Sequence, residues 1–217
     1  MNRSVVTMAW LAMVLIVVHG TGTNLGAQIG KSLGVVDVNT VNEKTLATFA
    51  SMTPAIAKAV VAKRPFQSPV DLNTLLLAQG LTQEQANAFY GKAFVHINLN
   101  TATSEEILLV PRAGKKMAHE FDEYRPWKTW AQFAKQIGKY VGADATAKLA
   151  QYAFIPMSAN TAADAHLMTI PGANAALVTN IKKGRPYRTI DDVERALAKG
   201  STPADGKRIA RYLVVTP

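Results

Sequence analysis

Cysteine is missing from all 217 residues, which excludes a disulfide framework, a thiolate metal site, an iron–sulfur cluster and a cysteine nucleophile. The four histidines, His19, His96, His119 and His166, lack metal-ligand spacing, so no metal is expected. There is no Walker loop, no glycine-rich turn after a strand and no nucleophile elbow. The paired carboxylates Glu105-Glu106 and Asp191-Asp192 fall at helix starts, where they favour the macrodipole rather than acid–base work. We therefore expect no catalytic residue, no cofactor and no small-molecule substrate. Alternating strand runs are also absent outside short extended links such as Val95–Leu99 and Tyr212–Val215.

What is present is an ordinary 48% apolar content and an excess of positive charge, 24 Lys+Arg against 15 Asp+Glu, with a pI near 9.8. Such a balance suits an acidic partner: nucleic acid, an anionic membrane surface or an acidic protein. The chain opens with Arg3, an apolar run from Val5 to Val18 and a small polar exit region, the three parts of a secretory signal. Residues 1–30 are thus expected to be a signal peptide, cleaved after Gly20 or Ala27, or an uncleaved membrane anchor. Either puts the protein outside the cytoplasm, in the periplasm or on the outer face of the cytoplasmic membrane. Cleavage removes only Arg3 among the charges, so the body stays basic.

Self-comparison then fixes the organisation. Asn39-Thr40, Asn100-Thr101 and Asn160-Thr161 recur at spacings of 61 and 60, as do Arg64-Pro65, Arg125-Pro126 and Arg185-Pro186. After each Arg-Pro comes an aromatic, Phe66, Trp127 or Tyr187, and two residues later a hydroxyl, Ser68, Thr129 or Thr189, in the N-cap position. Other helices are expected after each Asn-Thr turn, from Pro54, Lys115 and Ala175, and after Gly80, Gly142 and Gly200. The pattern predicts an all-α chain of three copies with four short helices each, at 36–94, 95–154 and 155–217. A copy of about 60 residues would be marginal alone, and the junctions near Val95 and Ile155 are not rich in Gly, Ser or Pro, so the copies should pack together.

Copy two has Leu109-Val110-Pro111-Arg112-Ala113-Gly114-Lys115-Lys116 between its first two helices, and copy three has Thr169-Ile170-Pro171-Gly172-Ala173-Asn174 there. These stretches resemble the helix-hairpin-helix family, whose hairpin reads Leu-Pro-Gly-Ile-Gly. The stretch Ile97–Ile107 is similar to the opening of the ComEA-like group of exported competence DNA receptors. The resemblance covers nearly all of 36–217, once per copy, and implies non-specific binding of double-stranded DNA by its phosphates, as in DNA uptake. In that family the hairpin's free N–H groups grip phosphate without reading bases.

Each copy departs from the pattern. Arg112 replaces the first glycine of copy two, Asn174 the second of copy three, and copy one, with Ser51-Met52-Thr53-Pro54, has neither, so its hairpin is expected to have lost phosphate contact. Charge rises along the chain: five basic against four acidic residues in 35–94, eight against six in 95–154, nine against five in 155–217. DNA contacts are accordingly expected from Arg112, Ala113, Gly114, Lys115 and Lys116 in copy two. In copy three they are expected from Gly172, Ala173, Asn174, Lys182, Lys183, Arg185 and Arg188, with Lys207, Arg208 and Arg211 on one side of the last helix. The alternative partner is a membrane protein complex: Met52–Ala57 and Gly80–Gln85 resemble the extrinsic lumenal protein of cyanobacterial photosystem II, a relative of the same family.

Overall fold

The computed structural model describes residues 34–215; the leader expected at 1–30 lies outside them. The described chain is rich in helix, and its elements repeat three times. Copy one runs β1 (Val36–Asp37), α1 (Glu43–Leu46), α2 (Pro54–Lys63), α3 (Pro69–Ala78), α4 (Gln83–Tyr90) and β2 (Ala93–Phe94). Copy two runs β3 (Ile97–Asn98), α5 (Ser104–Leu108), α6 (Lys115–Glu123), α7 (Trp130–Ala150) and β4 (Ala153–Phe154). Gly142, at φ 77° and ψ 169°, breaks α7 into two helices, so copy two also has four. Copy three runs β5 (Met157–Ser158), α8 (Asp164–Leu167), α9 (Ala175–Lys183), α10 (Ile190–Ala198), α11 (Pro203–Ala210) and β6 (Leu213–Val214).

The described chain is mostly α, and six two-residue strands add to the all-α expectation. The extended links pair: the first and last strands of each copy form a two-stranded parallel ladder, with Val36 opposite Ala93, Ile97 opposite Ala153 and Met157 opposite Leu213. Each run of four helices therefore starts and finishes side by side. Strands of two residues are too short to show alternation, which is why no periodicity marks them.

The recurring Asn and Arg residues turn out to be internal clamps. The side chain of Asn100 accepts from the Trp127 amide at 2.6 Å and donates to the Trp127 carbonyl at 3.0 Å. Asn39 does the same for Phe66, and Asn160 for Tyr187, always across 27 residues. Arg125 donates to the Leu99 and Ala102 carbonyls, Arg185 to those of Ala159 and Ala162, and Arg64 to that of Val41. The aromatic held by each clamp is buried, and its polar tip is satisfied: Trp127 Nε1 donates to the Phe121 carbonyl and Tyr187 Oη to that of Ile181. Asn100→Ala strands the amide and carbonyl of Trp127 together. It is expected to cost about 2 kcal/mol in urea unfolding, against a few tenths for a change at exposed Lys128.

Each copy touches the other two. Ser68 Oγ donates to Glu106 at 2.6 Å, and the Phe94 and Tyr152 rings meet edge to face at 5.3 Å, joining copies one and two. Trp130 of copy two packs against the apolar cores on both sides. Copy three closes onto copy one and the start of copy two through Arg211, which donates to the Gln67 and His96 carbonyls at 2.9 and 2.7 Å, and through Tyr212, whose hydroxyl donates to buried Asp37 at 2.7 Å. Among the described residues no helix is long and apolar enough to cross a membrane.

Candidate nucleic-acid interface

The hairpin between the first two helices takes one backbone path in all three copies. Ser51, Arg112 and Gly172 occupy the left-handed region at φ 65°, 71° and 75°. The next residue donates its N–H back over the turn each time: Met52 to Phe49, Ala113 to Val110 and Ala173 to Ile170. Copy one has thus kept the turn without either glycine, because one left-handed residue suffices and a serine tolerates it at modest cost.

What separates the copies is how their helices begin. A helix N-terminus has unpaired N–H groups that a side chain, water or ligand must satisfy. In copy one, Thr53 accepts from Ile56 at the start of α2 and Thr82 from Gln85 at the start of α4. In copy three, Asn174 accepts from Leu177 and Thr202 from Asp205. In copy two both corresponding positions are glycine. Gly114 begins α6 with no side-chain cap, and Gly142, in line with Thr82 and Thr202, begins the second half of α7. A β-carbon placed on either glycine meets nothing within 4 Å, so both corners are open.

These two corners belong to one face. Lys116, in the first turn of α6, lies with Nζ 4.7 Å from the ring centre of Tyr140, which stands two residues before Gly142. Tyr140 Oη is 3.0 Å from Tyr124 Oη, and Lys139 lies over the Tyr124 ring. That bond to Tyr124, with Glu120 acting in the same direction, keeps the Tyr140 hydroxyl protonated well above the usual phenol range. Lys115 and Lys116 are exposed, and the first turn of α6 has no acidic residue, whereas Asp144 follows Gly142.

The remaining sequence candidates divide. Arg112 is exposed at the left-handed position and Ala113 is buried behind it. Gly172 faces a crowded corner, where a β-carbon would stand 3.0 Å from Arg208 Nη1 and 3.1 Å from Thr40 Cγ2. Asn174 is engaged as a cap, and Lys182 is paired with Asp164 at 2.8 Å. Three arginines are turned inward: Arg185 as a clamp, Arg208 on the Pro171 carbonyl and Arg211 on the carbonyls of Gln67 and His96. Lys183, Arg188 and Lys207 are exposed. The charge excess of copy three is therefore largely internal, and the outward-facing site is in copy two.

Lys139, Tyr140 and Gly142, at the second hairpin of copy two, are not among the contacts expected from the sequence. The signal for Gly142 was available, since the threonine recurring at Thr82 and Thr202 fails at that position alone. Among the described residues no group of His, Asp or Glu is placed to hold a metal ion. No protein-family model, curated protein or solved structure matches the chain.

Proposed function

We infer that the protein binds double-stranded DNA non-specifically, gripping phosphates with copy two. In this reading the three repeats are tandem helix-hairpin-helix units, the leader exports the chain, and the task is DNA capture of the kind competence receptors perform. One observation carries it: both hairpin helices of copy two start at open, uncapped glycines, beside Lys115 and Lys116, while the corresponding helices of copies one and three are closed by Thr or Asn side chains. Unpaired N–H groups at the positive end of a helix are an oxyanion site, and two of them joined through Lys116 and Tyr140 suit two phosphates of one duplex.

Contacts to phosphate position a protein without reading sequence, and each neutralised phosphate steepens the salt dependence. Gel retardation of duplexes unrelated in sequence should give equal affinities that fall with log salt at a slope of about −0.9 per phosphate. Lys115→Glu/Lys116→Glu is expected to weaken binding at least tenfold at low salt and to flatten the slope by about two such increments. Binding that ignores salt, or that survives this double reversal, would overturn the reading.

A protein partner is the second reading, favoured by copy one, whose hairpin helices are closed by Thr53 and Thr82 and whose α3 exposes Leu77. Nuclease-resistant capture of a membrane complex, lost on Leu77→Glu, would favour it.

A further inference from the structure

Copies two and three correspond residue for residue at an offset of 60, so Tyr124 and Tyr140 have Gly184 and Gly200 as their counterparts. The correspondence is also structural. Tyr124 and Gly184 end α6 and α9, and Tyr140 and Gly200 each precede the start of the last helix by two residues. Where copy two packs two rings, copy three has a cleft of about 290 Å³ lined by Asn180, Lys183, Gly184, Ala196, Lys199 and Gly200. That volume is at the small end of ligand pockets, which span roughly 300–1,000 Å³.

At Gly184 a β-carbon would stand 2.2 Å from Tyr187 Oη, and at Gly200 2.1 Å from Asn180 Nδ2, the end of a side chain that can move. Asn180 thus holds its amide over Gly200, and that amide makes no hydrogen bond to any described residue. Lys199 corresponds to Lys139, which in copy two lies 5.6 Å from the ring centre of Tyr124. In copy three the lysine is kept and the ring is gone.

We propose that this cleft is a slot for one unpaired nucleobase, with the Asn180 amide on its edge, Lys199 over its face and Lys183 on the attached phosphate. The lysines alone would not argue for an anion, because both are near helix C-termini, where cations are favoured anyway. The argument is the ring-free cleft beside Gly184 and Gly200 together with an amide that has no partner among the described residues. A carboxamide offers one donor and one acceptor in a plane, the pattern that pairs with the N6/N7 edge of adenine, and a cation over a ring is attractive. A single base presented in this way is how unpaired nucleotides are usually recognised. The slot is separate from the glycine corners of copy two and does not depend on duplex binding.

The test is a nitrogen-15 NMR titration of the whole mature chain with AMP, ribose 5-phosphate and N-acetyltyrosinamide. AMP is expected to shift the amides of Gly184 and Gly200 and the side-chain amide of Asn180 saturably, and ribose 5-phosphate at the same concentration is not. Asn180→Ala should weaken AMP about tenfold, the size of one well-made hydrogen bond. Ala196→Phe, which supplies a ring from the wall, should abolish the shifts while leaving the rest of the spectrum in place. Absence of saturable AMP shifts, equal shifts with ribose 5-phosphate, or persistence in both variants overturns the proposal. Equal binding of N-acetyltyrosinamide also overturns it, in favour of an aromatic side chain from a protein. Failure of duplex retardation, by contrast, would sink only the copy-two reading.

Discussion

Asp37→Ala is expected to destabilise the protein by about 3 kcal/mol at neutral pH, the largest single-residue loss predicted, because it removes the centre of a buried network. Asp37 Oδ2 accepts from Tyr212 Oη at 2.7 Å and lies 3.0 Å from His96 Nδ1, while Oδ1 accepts from the Asn39 amide. The three side chains come from the first strand of copy one, the link into copy two and the end of copy three, and all are buried. The network is therefore where the ring of copies closes, and its loss frees polar partners that water cannot reach.

The same carboxylate sets an acid limb. Burial pushes its pKa up, but the His96 hydrogen bond and charge, the Tyr212 hydroxyl and the Arg211 charge outweigh this and bring it from 3.8 down to about 2. A carboxyl with a depressed folded pKa adds stability that is complete above its unfolded value and disappears as pH falls through the folded one. Between pH 4 and pH 2 the wild type should lose roughly 2 kcal/mol from this group, and Asp37→Asn should lose none of it. Urea unfolding at a series of acidic pH values measures the difference. Parallel pH profiles for the two proteins would show that the network contributes nothing ionic.

Much of the architecture was legible because it recurs. The helix starts at Pro54, Lys115 and Ala175 follow from spacing alone, and so do the clamps, once one notices that a residue present in all three copies is serving the fold. That logic fits the buried Phe66, Trp127 and Tyr187, and it applies equally to Arg185, which has Arg64 and Arg125 as counterparts yet stood among the DNA candidates. Arg208 and Arg211 offered no such clue. Arg208 turns in to the Pro171 carbonyl of its own copy's hairpin, and Arg211 points inward because copy three folds back onto the other copies, neither of which a local pattern encodes. The left-handed Ser51 was hidden for a different reason, since glycine announces a positive φ and serine does not. At the candidate site the informative positions were exceptions to the repeat, Gly114 and Gly142 in place of capping residues. A missing side chain is easily read as a mere turn when its companion copies are not consulted.

Importing the caps of the neighbouring copies should separate free backbone donors from charge. Gly114→Asp places a carboxylate where Asn174 accepts from its own helix, so the N-terminus of α6 becomes satisfied internally, while Gly142, at φ 77° and ψ 169°, has a backbone that only glycine adopts without strain and is left unchanged. The Gly114 corner is open and its φ of −81° suits any residue, so the new side chain fits without displacing anything. Stability is expected to hold or to rise by a few tenths of a kcal/mol, since glycine is only slightly worse than Asp at an N-cap. Duplex affinity is expected to fall by about tenfold, because the donors of α6 are occupied and the phosphate there now approaches a negative charge. The neutral variant Gly114→Ser occupies the same donors without adding charge and should lose about half of that in free energy, with Lys115 and Lys116 untouched. Thermal unfolding and low-salt retardation on the three proteins give the answer. If the Ser variant binds as tightly as the wild type, the lysines hold the duplex and the open end of α6 is incidental; a graded loss without loss of stability assigns the grip to the main chain.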